Sequence, residues 1–571
     1  MSSVSIRVEK THYDHMSVLI PCFSSGCFSL CRLLPRRNRR RIVSLLGLLA
    51  VLTLSFVVQF RQCVSQDTDS GVNTRHLAAT LRAATVRIET PNDLCSGVLV
   101  SSNGLILSVA HGVTAADRTV SVFLHDGRSF KGRVRFRNAD LDVAAIQITA
   151  GPDERLPQPI ALQRDISGPS VREQRPIVFA CGYPARESSG QSPVLRMGRI
   201  EVQDRNAIRS SCVLTAGDSG GPLVNPAGRL IGLHRRIGLR RQVNVHIPVS
   251  VVRAAASRHG ELTELKGVAS STARFDPRPS DQVLRELRLR TAWFYTPGEA
   301  DPFLAGTWLT SSLVTTKLSE LPTEIEMLTC GRAGETAVRF TKVAVDRQLD
   351  LVFVKLHESA DATDVPTVPP IGVPDSTDLS VGSIVFGGSE ASPGVVARTA
   401  HREIAVVARL GVELLIQSGN IYVEKVNPLD AAGDAELLPG DRLVKLGDAD
   451  LKDLDDVADV LSNYQPGDRV IFDVERNEQK LQRIGRLTFP ADSMLQRENF
   501  LDGRAGELSR RRTGFRSVIQ HDVNLSPLQM GGPLVDRRGR CVGVNIARRG
   551  RESVLAIPID RFSGFLTPFA R

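Results

Sequence analysis

The sequence has little of what marks several broad classes of protein. Its 31 prolines and 46 glycines in 571 residues are near average usage, which excludes collagen-like and low-complexity architectures. The cysteines after residue 63 are too few for a disulfide scaffold, although the sequence leaves a Cys181–Cys212 pair open. We find no cluster with metal-ligand spacing, so neither a metal nor another cofactor is expected. With 42% hydrophobic and 23% charged residues, the chain is typical of a globular protein.

The positive charge is concentrated at the start of the chain. The net charge is +10, and residues 1–41 alone carry eight basic against two acidic side chains. The remaining residues therefore hold only a small excess, and no nucleic-acid partner is expected.

An uncharged apolar run occupies residues 42–60. As a helix it would be about 28 Å long, close to the thickness of a bilayer's hydrocarbon core. A cluster of arginines precedes it and only Arg61 directly follows, so the positive-inside rule places residues 1–41 in the cytoplasm and the rest outside. A cleaved signal peptide is the alternative, but no small-x-small cleavage site is found around 60–70. We expect a signal anchor, with the domains beyond it periplasmic or otherwise extracytoplasmic.

Short β-type runs bounded by Gly, Asn, Asp and Pro follow a polar linker at 61–76, which predicts a barrel or sandwich. After a second linker at 266–280 the pattern repeats. Asp142 matches Asp350 at an offset of 208 residues, whereas Ser219 matches Met530 at an offset of 311. The second copy therefore contains an insertion the size of a small domain. The predicted strands are 96–100, 104–108, 119–124, 144–148 and 176–180.

Three pieces of the first copy carry chemistry: His111 after a predicted strand, Asp142 before another, and Ser219 in Gly-Asp-Ser-Gly-Gly-Pro. A serine hydroxyl is a weak nucleophile until a base takes its proton. His111 is the candidate base, and Asp142 is the group that would orient it. The backbone N–H groups of Gly217 and Ser219 are candidates for an oxyanion hole. A lone histidine is more often structural, and Asp140 is the rival of Asp142.

In these motifs and their order, residues 80–260 resemble the chymotrypsin-fold serine proteases, most closely the HtrA/Deg type. The resemblance implies two six-stranded β-barrels with the triad in the cleft between them, and we assign residues 77–265 to this domain. Asp218 departs from the asparagine usual in HtrA proteins, and its partner is open. Because no acid is found near the pocket floor, we expect a small or medium apolar P1 residue. The resemblance implies a pocket with two walls, one formed by Val213, Leu214, Thr215 and Ala216 and the other by Leu233 on the strand 233–235.

The second copy, assigned to residues 281–405 and 491–571, has lost the chemistry. The sequence match aligns Leu318 with His111 and Met530 with Ser219, so base and nucleophile are both missing. The insert at 406–490 resembles a PDZ domain, with Leu410, Gly411 and Val412 as the carboxylate-binding loop. A helix is predicted over 454–462, and its residues 457–461 would line the peptide pocket. The alternative is a structural insert that binds nothing.

Together these features predict a mainly β protein: a duplicated chymotrypsin-like double β-barrel, a PDZ-like α+β domain and an N-terminal transmembrane helix. By resemblance, the function is that of a membrane-anchored, HtrA-like serine endopeptidase that cleaves unfolded or misfolded envelope proteins. Expected partners are unfolded protein or peptide substrates, a C-terminal peptide at the PDZ-like domain, the membrane and further copies of the chain. The alternative is a non-catalytic PDZ and pseudoprotease scaffold that binds protein C-termini.

Overall fold

The structure is a computed structural model that describes most of residues 72–565, all of them within one compact unit. The predicted cytoplasmic segment 1–41, the transmembrane helix 42–60 and most of the linker 61–76 lie outside the described residues. Among the residues that are described, no helix has the length and apolarity needed to cross a bilayer. The gaps between 72 and 565 are 92, 115–117, 152–153, 165–174, 186–191, 239–240, 242, 260–274, 335–336, 358–367, 373–377, 403–404 and 491–506.

The first six strands close into a barrel with the order β1-β2-β3-β6-β5-β4. Buried and exposed side chains alternate along β4, as they do in a strand with one face on the core. Val120 and Val122 are buried, while Thr119 and Ser121 are exposed. Helix α1 (Thr74–Ala84) leads into β1 and places Leu77 and Leu81 in the core. The strands are β1 (Thr85–Glu89), β2 (Leu94–Leu99), β3 (Leu105–Ser108), β4 (Thr119–Phe123), β5 (Ser129–Asn138) and β6 (Val143–Ile148).

The second barrel has the order β10-β11-β12-β9-β8-β7 and is followed by helix α2 (Val249–Arg258). Cys181 and Cys212 are both buried free thiols here, so the disulfide that the sequence left open is not formed. The strands are β7 (Ile177–Gly182), β8 (Val194–Gln203), β9 (Ile208–Ser210), β10 (Pro222–Val224), β11 (Leu230–Ile237) and β12 (Asn244–Pro248).

Helix α3 (Asp281–Arg290) begins a second pair of closed six-stranded barrels with the same strand connectivity as the first pair. The third barrel contains β13 (Thr291–Tyr295), β14 (Leu304–Trp308), β15 (Leu313–Lys317), β16 (Thr329–Gly331), β17 (Val338–Asp346) and β18 (Leu351–Leu356). The fourth contains β19 (Ile384–Gly387), β20 (Ser392–His401), β27 (Val518–His521), β28 (Pro533–Asp536), β29 (Cys541–Arg548) and β30 (Val554–Pro558).

A separate antiparallel sheet lies in sequence between β20 and β27, where the insertion was predicted. One of its edge strands is β21, and helix α5 (Leu454–Ser462) has the bounds of the predicted helix. Asp453 caps α5 by accepting the N–H of Asp456. The sheet contains β21 (Val412–Gln417), β22 (Asn420–Val426), β23 (Arg442–Leu446), β24 (Ala449–Asp450), β25 (Arg469–Arg476) and β26 (Gln479–Arg486), with a short helix α4 (Ala431–Asp434).

Two predicted linkers contain ordered structure. Helix α1 begins at Thr74, inside the segment 61–76, because the Asn73 side chain accepts the His76 N–H and the apolar face of the helix covers the first barrel. At the end of the segment 266–280, Phe275 is buried beside Phe179 of β7, with ring centroids 5.9 Å apart. Apolar residues within polar stretches therefore extend the core beyond the boundaries expected from composition.

Candidate active site

His111 and Asp142 meet at the mouth of the first barrel. His111 lies in the turn after β3, and Asp142 lies in the turn before β6. Both carboxylate oxygens of Asp142 lie 3.0 Å from Nδ1 of His111, and Oδ1 also accepts the His111 backbone N–H at 3.0 Å. The Asp142 backbone is left-handed, with φ of 57°, a conformation that aspartate tolerates better than most residues. The imidazole is thus oriented from one side, and its side chain remains 47% exposed. The rival Asp140 is exposed to solvent.

A third group, Arg235 of β11, also contacts the carboxylate. Its Nε donates to Oδ2 of Asp142 at 3.1 Å. Burial raises the pKa of Asp142, but the hydrogen bonds and charge of His111, together with the hydrogen bond from Arg235, outweigh this and bring the pKa below its usual value. The sequence reading placed Arg235 on a pocket strand and missed this contact, because no motif marks the pairing of an arginine with a distant aspartate.

Ser219 lies in the glycine-rich turn before β10. Its backbone carbonyl accepts the N–H of Ser96 at 2.8 Å, which ties the turn to β2 of the first barrel. Its hydroxyl donates to the carbonyl oxygen of Arg235 at 3.5 Å, a long and weak contact. Among the described residues, no hydrogen bond joins this hydroxyl to His111. Arg235 therefore contacts both the acid and the alcohol of the predicted triad, and the hydroxyl must rotate to reach the imidazole.

The turn before Ser219 has the backbone shape that an oxyanion hole requires. Gly217 has φ of 91°, and a side chain there would lie 2.3 Å from the carbonyl oxygen of Tyr183, so only glycine fits. Ser96 holds the Gly217 peptide by donating to its carbonyl at 2.8 Å. Within the described part of the chain, the N–H groups of Gly217 and Ser219 have no acceptor, which leaves both free for a ligand oxygen.

Asp218, whose partner the sequence left open, pairs with Arg196 of β8. The two side chains are 1% and 0% exposed, and Nη1 of Arg196 lies 2.9 Å from Oδ2 of Asp218. The same oxygen accepts the N–H of Thr215 at 2.8 Å. Burial raises the pKa of Asp218 to about 6, while the Arg196 charge opposes that rise. An internal arginine thus neutralises the buried carboxylate.

The predicted pocket needs correction at two positions. Leu214 is 1% exposed and packs in the core of the second barrel, and Leu233 is fully buried in the main hydrophobic cluster. Leu233 points into the core from β11, whereas Leu214 lies in the loop after β9 and packs inward against the second barrel. Val213 is also mostly buried, whereas Thr215 is half-buried and Ala216 is exposed. Leu214 therefore has no side chain to offer a substrate, and only its backbone borders the turn.

In the second copy, the structure places Ser319 rather than Leu318 at the position of His111. The N–H of Ser319 donates to Oδ1 of Asp350 at 2.8 Å, as that of His111 does to Asp142, and Asp350 has the same left-handed backbone. The offset of 208 residues between Asp142 and Asp350, applied to His111, also gives Ser319. The comparison of short motifs did not use this offset and therefore chose Leu318. Met530, the counterpart of Ser219, is fully buried. The second copy therefore has no imidazole at the position of His111, which Ser319 occupies, and no hydroxyl at the position of Ser219, which Met530 occupies.

A buried cation fills the site of the second copy. Nζ of Lys317 lies 2.5 Å from Oδ2 of Asp350, with both side chains excluded from water, and also donates to the carbonyl of Arg511 at 2.9 Å. Arg486 of β26 donates to the Ser319 carbonyl at 3.0 Å, so the inserted sheet packs against the same position. The position that is open to solvent at His111 in the first copy is thus an internal contact in the second.

The predicted carboxylate-binding loop of the insert borders a groove of about 810 Å³. Leu410, Gly411 and Val412 all line it, at the start of edge strand β21, and Val457 and Leu461 of α5 form the opposite wall. Gly411 has φ of 77°, and a side chain there would clash with Asp430. An edge strand facing an apolar helix is the arrangement by which such sheets take up an extended peptide.

Comparison with known proteins agrees with these two sites. Residues 95–233 match the family of trypsin-like peptidase domains, and residues 408–483 match the family of PDZ domains. The predicted resemblance to an HtrA-type serine protease with a PDZ domain is thereby confirmed.

Two curated relatives illustrate the extent of the likeness. The serine endoprotease DegS of Haemophilus influenzae is 32% identical over 148 residues, which are 25% of this chain and 41% of the relative. The putative serine protease HhoA of Synechocystis is 32% identical over 155 residues, 25% of this chain and 36% of the relative. The chain thus spans less than half the length of these relatives. A solved serine endoprotease from Yersinia pestis aligns over 73% of this chain and 98% of its own, with 15% identity and a TM-score of 0.29.

Proposed function

We propose that this chain, which carries a trypsin-like peptidase domain and a PDZ domain of HtrA type, is a serine endopeptidase. The observation that carries the proposal is the contact of Asp142 with both Nδ1 and the backbone N–H of His111, beside a glycine-rich turn that presents Ser219. The carboxylate fixes the ring so that Nε2 is available as the base.

The chemistry follows from these positions. The Ser219 hydroxyl turns from the Arg235 carbonyl toward His111, gives its proton to the imidazole and attacks the scissile carbonyl. The N–H groups of Gly217 and Ser219 stabilise the negative oxygen of the tetrahedral intermediate. The imidazolium then protonates the leaving amine, and an acyl-enzyme remains. Water, activated by the same imidazole, releases the second product and restores Ser219.

We further propose that the enzyme is a single-pass membrane protein with its N-terminus in the cytoplasm and its proteolytic domain outside, acting on unfolded envelope proteins. The uncharged run 42–60, preceded by arginines, supports the anchor. The groove beside Gly411 would take the C-terminus of a protein, with main-chain N–H groups of the loop holding the carboxylate.

Labelling with a fluorophosphonate, followed by gel fluorescence, tests the enzymatic proposal. The wild type should label and degrade unfolded casein, whereas Ser219→Ala should do neither. Ser129→Ala is the matched control, because this serine is exposed on β5 of the same domain. Absence of labelling in the wild type, even with C-terminal peptides added, would favour the scaffold function instead, which the loss of base and nucleophile in the second copy also suggests.

A further inference from the structure

The fourth barrel contacts the second barrel beside the turn that carries Ser219. The loop between β29 and β30 places Arg551, Glu552 and Ser553 at 1% exposure each, although two of the three are charged. Asp522, next to β27, accepts the N–H of Met197 in β8 at 2.6 Å and that of Val395 in β20 at 2.7 Å. Strands of the two copies are thus joined by a carboxylate across their boundary.

The Arg551 guanidinium is directed at one peptide of the pocket loop. Its Nε donates to the carbonyl oxygen of Leu214 at 3.1 Å. Its Nη2 lies 3.4 Å from Oδ1 of Asn244, and the same oxygen accepts the Leu214 N–H at 3.1 Å. Nε of Arg241 in turn donates a hydrogen bond to the carbonyl oxygen of Arg551 at 2.7 Å. The backbone N–H and carbonyl of Leu214 are therefore both hydrogen-bonded, and the donor to the carbonyl belongs to the second copy.

Leu214 lies three residues before Gly217, so its position bears on the oxyanion turn. The next residue, Thr215, donates its N–H to Asp218, and Asp218 pairs with Arg196. Glu552, adjacent to Arg551, acts electrostatically on both members of this pair. A continuous series of hydrogen bonds and peptide bonds thus leads from Arg551 to the amides around Ser219. It passes through Leu214, Thr215 and Asp218.

We propose that Arg551 is a positioning residue for catalysis, through which the catalytically dead copy holds the pocket loop and oxyanion turn of the active copy in their working shape. The second copy is then a built-in part of the proteolytic site, and its own loss of a base and a nucleophile has no bearing on that role. This inference rests on the proposed function. It assigns to the degenerate barrels a task that neither their fold nor the PDZ insert implies.

The test compares the full-length wild type with Arg551→Ala and Arg551→Lys. The readouts are the fluorophosphonate labelling rate, kcat and KM on peptide anilides that differ in P1 size, and the melting temperature by circular dichroism. We expect kcat and the labelling rate to fall about tenfold to a hundredfold in Arg551→Ala, because small displacements of reacting groups have effects of this size. Arg551→Lys, which keeps the charge and a single donor nitrogen, should recover part of the loss. Arg538→Ala, an arginine of the same copy with a 71% exposed side chain, should match the wild type.

Each outcome separates the two proposals. A wild type that does not label refutes the proposed function itself. A wild type that labels, with folded Arg551 variants that match it in rate, kcat and P1 preference, overturns the positioning role. If Arg551→Ala melts below the assay temperature, the comparison is made with Arg551→Lys, whose unchanged kcat would likewise overturn the role. A loss in kcat at unchanged melting temperature supports it, since a purely structural residue would change stability first.

Discussion

The guanidinium of Arg235 and the imidazole of His111 share one carboxylate. Nε of Arg235 lies 3.1 Å from Oδ2 of Asp142, and Nδ1 of His111 lies 3.0 Å from the same oxygen. Two groups that are positive when protonated therefore face a single negative charge at the centre of the site. The electrostatics of the candidate triad thus depend on a fourth residue, which contributes its backbone carbonyl to Ser219 as well.

Removing the shared arginine should weaken catalysis. In Arg235→Gln, kcat/KM should fall by about tenfold, because the Asp142 carboxylate loses one of the two side chains that hold it beside the site. The Arg235 side chain is 39% exposed, so water can replace part of the lost hydrogen bond and keeps the effect small. The measurement is steady-state hydrolysis of a peptide anilide. Arg236→Gln, which alters the exposed neighbour, should match the wild type, and an equal loss in both variants would contradict the assignment.

Replacing the carboxylate should be far more damaging. In Asp142→Asn, kcat/KM should fall by about a factor of a thousand to ten thousand, because an amide no longer selects the tautomer with the proton on Nδ1. Steady-state hydrolysis of a peptide anilide measures the loss. Asp140→Asn, two residues away and exposed, is the matched control and should retain most of its activity. Comparable losses in both would show that the turn, rather than the carboxylate, matters.

The apolar wall of the PDZ groove should contribute to peptide affinity. Leu461→Ala should weaken binding of a fluorescent peptide with a free C-terminus about tenfold, because the leucine lines the groove and offers apolar surface to the ligand. Fluorescence anisotropy reports the affinity. Leu454→Ala is a matched control, since Leu454 lies on the same helix, is 42% exposed and is not part of the groove. If the two variants bind alike, the groove is not the peptide site.

Asp522 should make stability depend on pH. Burial raises its pKa to about 6 from the usual 3.8. The folded protein therefore binds this proton more tightly than the unfolded chain does. The protonated side chain contributes its full stabilisation at a pH below the pKa of the unfolded chain. That contribution is lost as the pH rises through the pKa of the folded protein. Over that range, wild type should lose about 3 kcal/mol relative to Asp522→Asn. Urea titrations at a series of pH values measure this, and parallel curves for the two proteins would rule it out.

Replacing one member of the buried Lys317–Asp350 pair should lower the free energy of unfolding strongly, and replacing both should lower it much less. Lys317→Met leaves the Asp350 carboxylate in an apolar setting and should lower the free energy of unfolding by about 3–5 kcal/mol. The double variant Lys317→Met/Asp350→Asn should recover much of this, because asparagine removes the charge, keeps an acceptor for Ser319 and tolerates the left-handed backbone. Lys425→Met breaks an ion pair whose side chains are 67% and 61% exposed and should leave the free energy of unfolding nearly unchanged. Equal losses in the buried and exposed cases, by urea unfolding, would contradict the account.

Local patterns determined much of this protein. The alternation of residues such as Thr119 and Val120 predicts a strand on a half-buried sheet, and the helix at Leu454–Ser462 follows its apolar spacing and its Asp453 cap. His111, Asp142 and Ser219 were identified because each lies in a short motif with its own chemical logic. The matches to trypsin-like peptidase and PDZ domains cover the regions where these motifs occur.

Only the tertiary structure decided which groups face one another across long separations in the chain. Closure of the second barrel brings Arg196 to Asp218, and the packing of separate barrels brings Arg235 to Asp142 and Arg551 to Leu214. Burial likewise removed the side chains of Leu214 and Leu233 from the predicted pocket. Periodicity and motifs report the chain's local conformation, whereas the burial and pairing of a charge depend on surfaces that are distant in sequence and become neighbours only on folding.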